Sequence, residues 1–166
     1  MNIQLPTLSM RSEGFVIQNP SETINGFTKK TADDAVRALD LTNELSIEDL
    51  KHSLRRYDFS SVSSHELAMA GSLLYESGLI GDEVANFFTS GRMAYDEAGR
   101  PTGTDVKFNA IAMFNEMLVD RLENSEGEAR GFHEITRSLI RANHVLGALS
   151  YFANSAQSEL SVSVYI

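Results

Sequence analysis

Four histidines are the side chains best suited to metal or acid–base chemistry: His52, His65, His133 and His144. Two are followed by glutamate, as His65-Glu66 and His133-Glu134. A zinc-protease helix needs a second histidine four residues after the first, so that both imidazoles face one ion. Those positions hold Met69 and Arg137, and an arginine repels a cation. His133 and His144 share a helical face but are three turns apart, roughly 16 Å, too far for one metal. These histidines read as surface or boundary residues.

Other chemistry is equally thin. There is no cysteine, hence no thiolate ligand, thiol nucleophile or disulfide. No G-x-S-x-G elbow and no phosphate-cradling glycine loop occurs. The run from Asp96 loosely suggests a calcium loop, but Ala98, Arg100 and Lys107 occupy positions where oxygen ligands belong. The carboxylates at Asp33/Asp34, Glu48/Asp49, Asp82/Glu83 and Glu123/Glu126/Glu128 mostly fall at expected helix starts, where the dipole favours them. No catalytic residue, metal site or cofactor is implied, and a non-enzyme is expected.

The chain has 166 residues and a formal net charge of -9. It is long enough to bury one core. Its acidity disfavours sequence-independent nucleic-acid binding. Lys51/Arg55/Arg56 and Arg137/Arg141 make local basic patches that read as solvated helix faces. No run approaches the roughly 18 apolar residues of a membrane span, and the first residues lack the pattern of a Sec-type signal. A cytoplasmic location fits, with secretion by a non-Sec route left open.

The elements expected are helical. Residues 1–30 read as an extended or partly disordered arm, with Ile3/Leu5 and Phe15-Val16-Ile17 able to pack. Thr31 and Ser46 open the first helices, and Ser63 with Glu66 makes a capping box for a third. Gly78 is a left-handed stop, and a short helix follows from Asp82 to Phe88. Residues 89–104 carry three glycines and a proline and read as a hinge or loop within a helical domain of residues 31–158. Thr104 is the expected cap of a helix bearing Val106, Ala110, Met113, Phe114, Met117 and Leu118. Ser125 with Glu128 is the expected cap of the last helix.

That last helix carries the strongest pattern in the chain. Phe132, Ile135, Leu139, Ala142, Leu146, Leu149, Ala153 and Ala156 alternate spacings of three and four, and all are apolar. A stripe that long needs a cover, from this chain or another. Gly131 and Gly147 interrupt it, each at about 1 kcal/mol relative to alanine, a cost usually tolerated where another backbone comes close. The final residues change period. Leu160, Val162, Val164 and Ile166 alternate with polar residues or Tyr165, a strand pattern whose partner would be Phe15-Val16-Ile17 or Ile3/Leu5.

The fold expected is therefore all-α, a multi-helix bundle with a long C-terminal αα-hairpin. The tail, residues 159–166, leaves room for a small β pairing between the terminal segments. The leading functional expectation is a protein-interaction module, an adaptor, chaperone-like or regulatory subunit. Its seam would be Phe132, Ile135, Leu139, Ala142, Leu146 and Leu149 with Met113 and Met117, set against a protein partner or a second copy. Small size and acidity resemble the general profile of bacterial secretion chaperones, a likeness of composition with no motif behind it. One alternative is a helix-turn-helix regulator using residues 70–88, where Gly78, Leu79 and Val84 have the right spacing. Against it, Leu74 occupies a place usually given to a small residue, and Asp82 and Glu83 would face DNA. Another is a secreted bacterial protein with an N-terminal export arm.

Overall fold

A computed structural model describes residues 17–39, 47–90, 94–95, 98, 101–102, 105–123 and 132–165. Six helices stand among them: α1 (Ala32–Arg37), α2 (Ile47–Leu54), α3 (Ser64–Glu76), α4 (Asp82–Ser90), α5 (Ala110–Glu123) and α6 (Phe132–Tyr165). The fold is all-α and multi-helical, as expected.

Local chemistry sets several of the helix boundaries. The Thr31 hydroxyl accepts from the Asp34 amide and starts α1, with Asp33 and Asp34 on the positive end of the dipole. Ser63 and Glu66 complete the capping box of α3. Gly78, at φ 75°, is the left-handed residue that ends the α3 turn, and the Leu79 amide returns to the Leu74 carbonyl. Leu79 and Ile80 are then buried as the chain reverses into α4. Gly71 on α3 sits against the Cβ of Phe88 on α4, so these two helices pack closely.

α6 is the hub. It packs against α1, α2, α4 and α5, while α3 is carried on α4. Leu139, Ala142, Leu146, Leu149, Ala153 and Ala156 of the seam are buried. So are Val145, Ala148 and Phe152, which widen the stripe. Opposite them lie Leu50 and Leu54 of α2, Ala35 of α1, Val84 and Phe88 of α4, and Met113 and Phe114 of α5, all within one core. Phe88 and Phe114 meet edge to face at 5.4 Å. Met113 is fully buried and Met117 packs at the margin of the same core.

Four expectations are corrected. First, α5 does not begin after Thr104, which lies outside the described residues. Lys107–Phe108 is instead a two-residue strand, paired antiparallel with Val62–Ser63, and Val106 is exposed. Asn109 caps α5, its Oδ1 accepting from the Ala112 amide. Second, the stretch 89–104 contains a short ladder, Ala94–Tyr95 against Pro101–Thr102, rather than hinge alone. Third, the strand pattern of the tail folds as helix: Leu160, Val162 and Val164 belong to α6, which runs on to Tyr165. Extending a helix already anchored by its packed turns adds one hydrogen bond per residue, which outweighs the few tenths of a kcal/mol that each valine or serine disfavours. Ile166, Ile3, Leu5, Phe15 and Val16 lie outside the described residues. Fourth, Ile135 does not join the buried seam: it is 49 % exposed. The Phe132 side chain, Gly131 and the Ser125–Glu128 cap lie outside the described residues.

Candidate functional site

Residues 17–31 form a strap across the α5–α6 hairpin. The strap makes two turns, at residues 19–22 and 25–28, and is held by polar side chains from below. The Glu116 carboxylate accepts from the Gln18 and Asn19 amides at 2.6 and 2.9 Å. The Asn109 amide donates to the Pro20 and Glu22 carbonyls at 2.8 and 2.6 Å. Asn109 thus caps α5 with its oxygen and ties down the strap with its nitrogen. Asn115 reaches the Glu22 carboxylate, which also accepts from Asn25 within the strap. Ile17 packs against the core.

At its far end the strap crosses α6. The Phe27 carbonyl lies against Gly147, where any Cβ would overlap it. The Phe27 ring meets His144 edge-on at 4.8 Å. Lys29 Nζ stands 2.8 Å from His144 Nδ1. An ammonium only donates, so Nδ1 accepts, and His144 is neutral with its proton on Nε2. Burial holds the imidazole below its ordinary range, and the Lys29 and Arg141 charges push the same way. Burial also lowers Lys29, partly offset by Asp34.

Between the strap and α6 lies a cleft of about 620 Å³. Phe27, Ile111, Leu146 and Tyr151 give it apolar surface, and Asn143, Ser150, Asn154 and Ser155 give α6 a polar edge there. The Asp58–Ser60 turn closes one side, with the Asp58 carboxylate accepting from the Ser60 hydroxyl at 2.6 Å. This cleft was not legible in advance. The one usable signal was Gly147, whose cost in a helix pointed to a close backbone neighbour.

The second region is the end of the hairpin where α5 finishes and α6 starts. There Arg121 Nε donates to the Thr136 hydroxyl at 2.7 Å, joining α5 to α6. Around this link the apolar residues Val119, Leu122 and Ile135 are 42 %, 55 % and 49 % exposed. The seam residues therefore divide. Leu139, Ala142, Leu146, Leu149 and Met113 are covered by the chain itself, whereas Ile135 faces outward.

The α3–α4 corner has the turn of a helix-turn-helix, but the exposed positions of α4 are Asp82, Glu83 and Asn86. Two carboxylates on that face oppose a phosphate backbone. Among the described residues no three His, Asp or Glu side chains converge on a point that could hold a metal ion. No described helix is long and apolar enough to cross a membrane. No protein-family model matches the chain, and neither a curated protein nor a solved structure does.

Proposed function

We propose that this chain is a non-enzymatic helical protein-interaction module, an adaptor, chaperone-like or regulatory subunit. It binds a protein partner, or a second copy, through the end of its α5–α6 hairpin where α5 finishes and α6 starts. The observation that carries this reading is the exposure of Val119, Leu122 and Ile135 beside the Arg121–Thr136 link. Val119 and Leu122 are three residues apart on one helix face, the spacing by which a helix presents apolar anchors to a groove. From Leu139 to Ala156 the seam is already covered by α1, α2, α4 and α5, so the docking surface is the hairpin end and not its whole length. The cysteine-free composition fits a reducing compartment such as the cytoplasm.

The test is a pair of charge substitutions, Leu122→Glu and Ile135→Glu, in the full chain. Both sites are half exposed, so folding should survive. Light scattering across a concentration series reads self-association, and affinity capture from the native cell reads a foreign partner. Loss of either complex in both variants supports the reading. A monomer at every concentration whose captured partners ignore both substitutions overturns it.

A further inference from the structure

Asn143 sits in the wall of the cleft beneath the strap and is only 3 % exposed. Its side-chain nitrogen is committed: Nδ2 donates to the Phe114 carbonyl of α5 and to the Leu139 carbonyl of its own helix, both at 3.0 Å. Its Oδ1 is different. Among the described residues nothing donates to that oxygen. Yet among the described residues no fully sealed side-chain oxygen or nitrogen is left unpaired. The Oδ1 atom therefore opens onto the cleft. A carbonyl oxygen fixed this way, on a side chain that cannot turn without losing two hydrogen bonds, waits for an N–H or O–H donor.

The surroundings narrow the class of donor. The charged groups of the wall are engaged with neighbours: Lys29 points to His144, and Asp58 accepts from Ser60. These two are the charged side chains that line the cleft and are of opposite sign, so its formal charge sums to zero. Ser150 and Asn154 extend the polar edge along α6 at the spacing of Asn143 and Gly147, with small hydroxyl and amide groups. Phe27 and Tyr151 add aromatic surface and Leu146 aliphatic surface. The volume falls in the roughly 300–1,000 Å³ range of small-molecule sites.

We propose that this cleft binds a neutral, hydroxyl- or amide-rich small molecule of mono- to disaccharide size, whose donor edge meets Asn143 Oδ1 and whose apolar face rests on the cleft's aromatic rings. This site is separate from the hairpin end, and either can fail without the other.

The experiment is saturation-transfer NMR on the full chain with glucose, N-acetylglucosamine and maltose, beside sodium acetate and inorganic phosphate. Transfer to at least one neutral probe is expected, without phosphate or acetate competing. Asn143 itself bridges α5 and α6, so the variant of choice is Ser150→Met, which fills the cleft from a half-buried position. That variant should keep the helical circular dichroism and weaken the neutral probe at least tenfold. No transfer to any neutral probe, competition by the anions, or undiminished binding to a folded Ser150→Met protein would each overturn the assignment.

Discussion

The carbonyl oxygen of Phe27 rests on the backbone of Gly147, with no room for a methyl group between strap and helix. Alanine at 147 would gain about 1 kcal/mol of helix propensity. It would also drive a Cβ into main-chain atoms that cannot rotate away. The overlap should win, with a net loss of about 1–3 kcal/mol, as for overpacked sites. Urea unfolding measures the loss, and limited proteolysis should cut within residues 17–31 sooner. Gly26→Ala is the control, since its Cβ position is open and its φ is not positive; it should be near neutral.

The latch between Lys29 and His144 should be sensitive to acid. His144 is held neutral in the fold, so its folded pKa lies below its unfolded value of 6.5. Above that value both states are neutral and stability is at its plateau. As pH falls through it, the unfolded chain takes up a proton that the fold resists, and stability declines until the folded pKa is passed. The protein should therefore unfold at lower urea at pH 5.5 than at pH 7.5. His144→Gln keeps an acceptor for Lys29 but does not titrate. It should flatten this part of the profile, and an unchanged slope would exclude His144 as its source.

Leu146 is buried where α6 meets the rest of the core. Leu146→Ala should cost about 2–5 kcal/mol, the range for a leucine truncated inside a packed core. A chemical-denaturation midpoint reads it directly. A loss under 1 kcal/mol would mean that the hub helix is not packed as described.

The Ser63 cap and the Lys107–Glu66 ion pair share one carboxylate. They should differ in weight. Ser63→Ala removes a cap from a buried position and should cost about 1 kcal/mol. Lys107→Ala removes a bridge that is half open to water and should cost well under 1 kcal/mol. Glu66 is held below the usual carboxylate range, chiefly by the Lys107 hydrogen bond and then by the Ser63 amide. Its stabilisation is thus present at neutral pH and fades as pH falls through that lowered value.

What could be read from the sequence was local. Thr31, the Ser63–Glu66 box and Gly78 act within four residues, so their types alone place the helix ends. The buried stretch from Leu139 to Ala156 is legible for the same reason, because its period is written in the chain. Its cover was not legible: α1, α2 and α4 come from far upstream, and no spacing rule links them to α6. Asn109 does not stand out as the cap, because Thr104 offers a hydroxyl five residues earlier. The strand at Lys107–Phe108 is too short to alternate, and its partner lies 45 residues away. The tail misled because Leu160, Val162 and Val164 alternate well enough for a strand, while the helix reaching them was already formed.

Lys29 and His144 are 115 residues apart in the chain. At ordinary rates of translation, the lysine is added to the chain roughly 6 to 23 seconds before its histidine. α1, α2 and α4 likewise lean on a helix made after them. Until then the faces that these helices turn toward α6 lack that cover. Closing the core therefore waits for α6 to emerge.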